Sequence, residues 1–546
     1  MEKKREHWGS TWGFIMAAAG SAIGLGNIWR FPYITGNNGG GAFVLVYLGC
    51  IMLIGLPVML GEFAMGRASQ SDPIGAFKHF DKGSQTIARC FSGAGLLLAA
   101  LIAAACQNYG LAAVVALISA AVWRWGFVVA GFFCSLVAVL ILSYYAVIGG
   151  WILIYAAEAC SGGLNFADSA AAKNLFVDIA TNGWWSTAGM IAFMLICGFV
   201  CFFGVKKGVE LASKIMMPVL FGLIVVLVIR ALTLPGASAG VSFFLKPDFS
   251  KLSINGVLEA LGHAFYSLSL GMGILITYGS YLPRNRNILT ASCCVAFFDT
   301  LLATLAGLAI FPAVFAMNMS PAQGPSLIFQ VLPITFNSIP GSLGWLWNGL
   351  FFILMSIAAL TSGISLLECG ISTIMQHCKI QRRPAVIVLT VAVSALALLS
   401  AWGAADWSHL SGLKSVFANL FGAVQGAFLD ELDYICSNWI LPLNGLVIAL
   451  FVGWIWGVGA SSRELYRSVE KKFVLDSKVN TLRGKLNKQI PIKVWSLFVR
   501  FVAPVLVLLT FLFSTGLLND AVDYIKKSVA SQSNTAEKAP EKNTGK

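Results

Sequence analysis

Apolar residues run in long stretches from one end of the chain to the other, separated by short polar, basic or Gly/Pro-containing turns. About 20 apolar residues in a helix span the roughly 30 Å hydrocarbon layer of a bilayer, so each stretch is read as a membrane-spanning helix. The stretches fall near residues 11–35, 42–66, 125–160, 186–204, 211–234, 256–283, 288–316, 343–375, 384–403, 430–458 and 493–518. They are too long and too uniform for the alternating strands of a transmembrane barrel. The first is no cleaved signal, because it contains Arg30 and Pro32, lacks a small-residue cleavage pattern and leads straight into another span.

Composition agrees with this pattern: 58% of the residues are hydrophobic and 11% charged. Water is therefore not the main solvent, and one membrane domain with no soluble one is expected. The formal charge of +13 does not point to nucleic acid, because the basic residues sit in short loops that alternate between spans. Lys3-Lys4-Arg5, Lys78 and Lys82, Lys206-Lys207, Arg284 and Arg286, Arg382-Arg383 and the stretch from Arg463 to Lys493 all fall on one side. That bias makes the N-terminus cytoplasmic. Eleven spans then put the polar tail after Asn519 outside, with a composition typical of disorder. The 12 Cys are scattered, mostly inside apolar segments, and read as packing residues rather than metal ligands or disulfides.

Two spans cannot be continuous helices. In the first, Gly20-Ser21-Ala22-Ile23-Gly24-Leu25-Gly26-Asn27 carries three glycines, each weakening a helix by about 1 kcal/mol. In the sixth, Ser267-Leu268-Ser269-Leu270-Gly271-Met272-Gly273 has the same character. Freed backbone groups at membrane depth are tolerated where they line a cavity or hold a ligand. Close helix packing through small residues is the competing explanation for either segment alone. The two lie five spans apart, so the second enters from the opposite side, and paired breaks in inverted halves point to a midplane binding site. Half-helix N-termini hold anions and freed carbonyls hold cations, which suits a zwitterion accompanied by sodium ions.

Trp8, the run from Gly20 to Pro32, Asn38-Gly-Gly-Gly-Ala-Phe43 and Gly61-Glu-Phe-Ala-Met-Gly66 closely resemble the neurotransmitter:sodium symporter family, in its bacterial amino-acid transporter branch. The resemblance runs from about residue 5 to residue 518, apart from one insertion, and the family is itself a type example of broken-helix, inverted-repeat architecture. It implies an all-α polytopic membrane protein of the leucine-transporter type, with two inverted five-helix repeats. On that pattern residues 1–10 form a cytoplasmic segment, 11–234 the first repeat, 235–458 the second, 459–492 a basic cytoplasmic loop, 493–518 the eleventh span and 519–546 a polar tail. The implied function is sodium-coupled import of an amino acid across the bacterial inner membrane by alternating access, without enzymatic chemistry, as a monomer or weak dimer surrounded by lipid.

The resemblance also assigns residues. A first sodium ion is expected at Ala22, Asn27, Ser267 and Asp299, and a second at Gly20, Ile23, Ala358, Thr361 and Ser362; neutral oxygen donors suit a weakly held monovalent ion. Tyr145 is expected to bind the substrate carboxylate with the amides of Leu25 and Gly26, while carbonyls of Ala22, Tyr266 and Ser267 and the Ser269 hydroxyl meet the amine. Ser21, Ile141, Tyr266, Met272, Ser362, Gly363 and Leu366 surround the side chain. Gly363 replaces a larger residue of some relatives and Met272 is adaptable, so a large hydrophobic or aromatic substrate is expected. Arg30 and Asp433 match an outer ion pair, Tyr145 and Tyr266 an aromatic lid, and Arg5, Trp8, Ser280 and Tyr281 an inner gate. Glu62, a charge inside a span, reads equally as a transport residue or as a partner of backbone amides. Gly208 and Pro218 in the fifth span resemble the family's pattern for local unwinding.

Four features depart from the family pattern. Asp299 stands where many relatives have asparagine, and Ala303 one turn later lacks the serine of chloride-dependent members. No chloride is therefore expected, the Asp299 carboxylate supplying the charge, with proton counter-transport on the return step as a corollary. His263 replaces a usual glutamine near the outer gate, and reads as a pH-tuned group or as a neutral hydrogen-bonding imidazole. Gln376 replaces the aspartate that usually pairs with Arg5, so the inner gate should be weaker or differently wired. Residues 86–124 are inserted between the second and third spans and contain two apolar runs, each short for a crossing. Parity of the basic loops demands zero or two crossings, so a helical hairpin dipping from the cytoplasmic side or packed on the bundle is expected. A channel and a non-transporting amino-acid sensor are the alternatives.

Overall fold

The computed structural model describes residues 5–80, 85–105, 109–166, 169–316, 327–337, 344–403, 415, 427–474 and 492–515. Among these residues the chain is helical, without a β-sheet. The calls on the polar tail, on Lys3, Lys4 and Lys82, and on much of the basic loop after Val474 lie outside them.

Nine described helices are long and apolar enough to cross a bilayer: Gly41–Ser69, Val128–Ser161, Gly183–Phe202, Val205–Leu232, Ile288–Ala316, Gly344–His377, Arg382–Trp402, Phe428–Ile455 and Ile492–Ser514. They correspond to the second to fifth and seventh to eleventh apolar stretches. The fifth starts earlier than its apolar run, because Gly204, at φ +89°, turns the chain directly out of the fourth span. It is helical across both Gly208 and Pro218, so no unwinding is present there in this conformation.

The first and sixth spans are the interrupted ones. Ser10 caps the first, its Oγ accepting from Gly13 N at 2.9 Å. The helix Thr11–Ala22 then gives way, and the chain resumes as Gly26–Asn37 at 50° to the first half. In the sixth, Ser253 caps Ile254–Ser267 in the same manner, and a second half-helix follows at Ile274–Ser280. Between them Ser269, Gly271 and Gly273 adopt φ of +54°, +75° and +71°, a left-handed sequence that no α-helix continues. Gly271 has no alternative, since a Cβ there would lie 2.9 Å from the Leu441 carbonyl oxygen.

Both backbone groups freed at Gly271 find buried partners. Its N–H donates to Glu62 Oε1 at 2.8 Å, and its carbonyl accepts from Asn444 Nδ2 at 3.0 Å. Glu62, fully buried in the second span, thus serves the break in the sixth. The cost of a carboxylate at that depth is offset where an unpaired amide would otherwise stand.

The insertion forms two helices, Gln85–Ala105 and Tyr109–Trp125. The helices pack antiparallel, with Ser92 Oγ donating to the Ser119 carbonyl at 2.6 Å. At 1.5 Å per residue they are about 32 and 26 Å long, longer than the apolar runs alone suggested, because the polar residues from Gln85 and up to Trp125 join the helices. The hairpin meets the third span where Phe91 packs edge-on against Phe127.

Candidate functional site

Between the two breaks lies a cavity of about 30 Å³, lined by Ser21, Ala22, Gly24, Leu25, Gly26, Ile141, Tyr145, Tyr266, Ser267, Ser269, Met272, Ile274, Ser362 and Leu366. The breaks are stitched together across it: Ser269 Oγ donates to the Ser21 carbonyl at 2.9 Å, and Ser362 Oγ lies 3.3 Å from the same oxygen. The Tyr145 hydroxyl is buried and bonds no protein atom, which leaves it free for a ligand carboxylate. Gly363 is the exception among the residues assigned to this cavity. It does not line it, because the position its side chain would take is filled from behind by Phe193, 2.8 Å from the place of a Cβ, and by Cys197 at 3.0 Å, both on the fourth span.

One side of the cavity carries a cluster of oxygens. Asp299 Oδ1 accepts from Asn27 Nδ2 at 2.8 Å and from Ser267 Oγ at 2.9 Å; Oδ2 accepts from Tyr47 Oη at 3.3 Å. Ser267 Oγ also lies 3.2 Å from Tyr47 Oη and 3.4 Å from Asn27 Oδ1. Spans 1, 2, 6 and 7 therefore converge on one carboxylate. Asn27, Ser267 and Asp299 were assigned together from sequence; Tyr47 was not, although a tyrosine inside the apolar first half of the second span was the available signal. A second group of oxygens joins spans 1 and 8. Ser362 Oγ lies 3.4 Å from the Gly20 carbonyl, Thr361 Oγ1 bonds the Ala358 carbonyl at 3.0 Å, and Ile23 is buried beside them. Both donor sets are mainly neutral oxygens with at most one carboxylate, chemistry that fits a monovalent cation.

The end of the bundle that carries Arg5 is closed by polar contacts. Arg5 donates to Ser280, Ser372 and Gln376 at 3.0, 3.1 and 2.9 Å and lies 5.0 Å from the Tyr281 ring centroid. Trp8 Nε1 donates to the Tyr278 carbonyl at 3.0 Å. Gln376 is bound rather than idle, accepting also from Asp72 N at 3.0 Å and donating to Ser71. Sequence reading missed the layer beneath. Tyr281 Oη donates to Glu368 Oε1 at 2.8 Å, Glu368 pairs with Arg382 at 2.7 Å, and Arg382 Nε lies 3.3 Å from Glu6 Oε1. Glu6 accepts from Val205 N, and Glu210 from Gly9 N and Ser10 Oγ. The signal was Glu368, an acid inside the apolar eighth span facing a basic loop.

The opposite end is built differently. Arg30 and Asp433 do not pair: the Arg30 guanidinium sits 5.3 Å from the Tyr266 ring centroid, while Asp433 Oδ1 accepts from Tyr144 Oη at 2.8 Å and Ser437 Oγ at 2.9 Å. The expected outer ion pair is thus absent in this conformation, since each member is engaged elsewhere. Behind Tyr266 opens a chamber of about 440 Å³ lined by Arg30, Glu259, His263, Phe265 and Tyr266 with residues of the tenth and eleventh spans. His263 does not make the hydrogen bonds expected of a neutral hydrogen-bonding imidazole. Both ring nitrogens lack protein partners, and the ring stacks on Phe31 at 5.8 Å with Tyr47 at 5.3 Å.

Comparison with known proteins agrees with this geometry. The sequence profile of the sodium:neurotransmitter symporter family matches residues 5–125 and 171–432. An uncharacterized sodium-dependent transporter of Bacillus subtilis, YhdH, is 34% identical over 95% of this chain and 99% of its own length. An uncharacterized sodium-dependent transporter of Methanocaldococcus jannaschii is 31% identical over 83% of this chain and 82% of its own. The crystal structure of MhsT in complex with L-phenylalanine superposes with a TM-score of 0.73 at 37% identity, covering 94% of this chain and all of that one. With broken first and sixth helices meeting at a buried oxygen-rich cavity, this multi-pass, all-α membrane protein is a sodium-dependent transporter and not an enzyme; it belongs to the sodium:neurotransmitter symporter family.

Proposed function

We propose that the protein imports a large hydrophobic or aromatic amino acid together with sodium by alternating access, without chloride and with proton counter-transport. The observation that carries this reading is the Asp299 carboxylate, fully buried and bonded by Asn27, Ser267 and Tyr47. A fixed negative charge already stands among the oxygens of the first sodium site, where a separate anion would otherwise balance the cation, and Ala303 one turn away offers no hydroxyl to hold one. Empty, the site would keep an ionised carboxylate out of water at a cost of several kcal/mol, so a proton taken up there on the return step relieves it.

The carboxylate of the amino acid meets the free Tyr145 hydroxyl, and its amine meets the carbonyls around Ser21 and the Ser269 hydroxyl. The solved relative holds L-phenylalanine, and Met272 supplies an adaptable wall. The cavity of about 30 Å³ is far below the about 150 Å³ of an apolar cavity that takes up benzene, so binding is coupled to movement of the walls. In this reading the Arg5 end faces the cytoplasm of a bacterial inner membrane, two sodium ions bind, and the inserted hairpin enters from the cytoplasmic side.

Gradient-driven uptake into proteoliposomes tests the proposal. Accumulation of labelled phenylalanine or tryptophan should require a sodium gradient, persist when gluconate replaces chloride, and rise with an inside-acidic pH gradient. Asp299→Asn should remove the pH effect and lower sodium-driven uptake at least tenfold. Saturable binding of tryptophan indifferent to sodium, or uptake that stops without chloride, would refute the reading.

A further inference from the structure

Phe193 lies outside every residue set assigned to the site, yet the site is built around it. It is fully buried on the fourth span, Gly183–Phe202, and its ring enters a slot between the third and eighth spans. Two glycines form the walls. A Cβ at Gly149 would lie 2.5 Å from Phe193 Cε2, and a Cβ at Gly363 would lie 2.8 Å from its Cε1 and Cζ. Contacts that short do not occur between real side chains, so both positions must lack a side chain for the ring to fit. Gly149 stands one helical turn after Tyr145 on the third span, and the Phe193 ring meets Tyr145 edge-on, with centroids 6.2 Å apart at 62°.

This places one aromatic ring against the back of another whose hydroxyl points into the central cavity without a protein partner. With no hydrogen bond of ordinary geometry to a protein group, that hydroxyl is positioned chiefly by the packing of its ring. The edge-to-face contact has a preferred geometry, and the glycine walls confine the ring that makes it.

We infer that Phe193 is a positioning residue for substrate binding: seated between Gly149 and Gly363, it fixes the Tyr145 ring and thereby the point at which the carboxylate of every substrate is held. Gly363, on this view, makes room for Phe193 rather than for a bulky substrate side chain. Size selection then belongs to residues that line the cavity, such as Met272 and Ile141. The inference rests on the proposed amino-acid site, specifically on Tyr145 as the carboxylate partner.

The test is binding of a labelled amino acid to the full-length protein in detergent or proteoliposomes, with leucine, phenylalanine, tryptophan and the amide of each as competitors. Tyr145→Phe measures the worth of the hydroxyl. If it weakens acids and amides alike, the carboxylate reading of Tyr145 fails, and that result is separate from anything Phe193 does. Given that Tyr145→Phe selectively weakens the acids, Phe193→Leu should weaken all three acids by the same factor, roughly tenfold, and leave the amides nearly unchanged. In the Tyr145→Phe background Phe193→Leu should add little. Gly363→Ala, which pushes the ring, should reproduce the loss, and Phe193→Leu in the same chain should restore part of it. A purely structural role would lower the melting temperature without this coupling. The inference is overturned if Phe193→Leu shifts preference toward tryptophan over leucine, if its effect is undiminished in Tyr145→Phe, or if Gly363→Ala is not relieved by the second change. Where Phe193→Leu does not fold, Phe193→Met under the same three readouts decides.

Discussion

The two ends of the pathway close by different physics. At the Arg5 end, charged and polar groups from the N-terminal segment and spans 5, 6, 8 and 9 are bonded in series, through Arg5 to Ser280, Ser372 and Gln376, and through Tyr281, Glu368, Arg382 and Glu6. At the Arg30 end one cation lies over the Tyr266 ring and Asp433 accepts from Tyr144 and Ser437 without pairing with Arg30, and a chamber of about 440 Å³ stands beside them. Directional bonds fix one arrangement and must all break together, whereas an aromatic lid slides. The difference teaches that in this conformation the Arg5 end is the locked one and that the aromatic end is the one poised to admit a ligand.

Breaking the lock tests this most severely. In Arg382→Ala the Glu368 carboxylate remains buried in the eighth span with Tyr281 as its hydrogen-bond partner, and removing one member of such a pair costs about 3–5 kcal/mol. The expected outcome is a lower melting temperature and faster labelling of Cys369, a buried thiol beside Thr277, read by peptide mass spectrometry after treatment with a membrane-permeant maleimide. Replacing both members together, Glu368→Gln with Arg382→Gln, leaves no buried unpaired charge, only the half-exposed Glu6 losing its partner, and should cost less than Arg382→Ala alone. If the double change is the worse one, the pair is not what holds this end shut.

A smaller effect separates the ends directly. Arg5→Ala removes charged hydrogen bonds to three partners, partly exposed, and should cost about 1.5–3 kcal/mol. Arg30→Ala removes a cation–π contact of about 0.5–2 kcal/mol and no ion pair. Thermal shifts of the substrate-free protein should therefore rank Arg5→Ala as the more damaging. Equal damage from Arg30→Ala would mean that the Arg30 end holds a lock not visible in this conformation.

Much of this was legible in the sequence, because hydrophobic length and glycine placement are local signals. The eleven stretches, the breaks at Gly20 to Asn27 and Ser267 to Gly273, and the convergence of Asn27, Ser267 and Asp299 on one cluster needed no tertiary information beyond the family pattern. What was not legible depends on which helix faces which. Glu62 meets Gly271 across two spans, Tyr47 reaches Asp299 from the second span, and Arg382 finds Glu368 by the folding back of the ninth span on the eighth. Gly363 misled for the same reason: a missing side chain announces a space, and only packing tells whether the substrate or Phe193 fills it. The Arg30 and Asp433 pairing was inferred from position, but a position does not fix a conformation, and Tyr144, Ser437 and Tyr266 hold the two apart.

His263 gives the smallest expected effect and the sharpest reading of the aromatic end. Its ring lies on Phe31 and beside Tyr47, and neither nitrogen bonds a protein group. The site therefore uses the imidazole as a flat apolar body. His263→Phe keeps that shape, adds little volume and removes no hydrogen bond, so it should change stability by no more than about 1.5 kcal/mol. Sodium-driven uptake should follow the same pH profile in the variant and the parent across the range from about pH 6 to 8 in which an ordinary histidine titrates. A profile that flattens in His263→Phe would show that the imidazole gains a proton during the cycle. The Arg30 end would then share with the Arg5 end a dependence on charge, and the contrast between the two ends would narrow to a difference in the number of bonds.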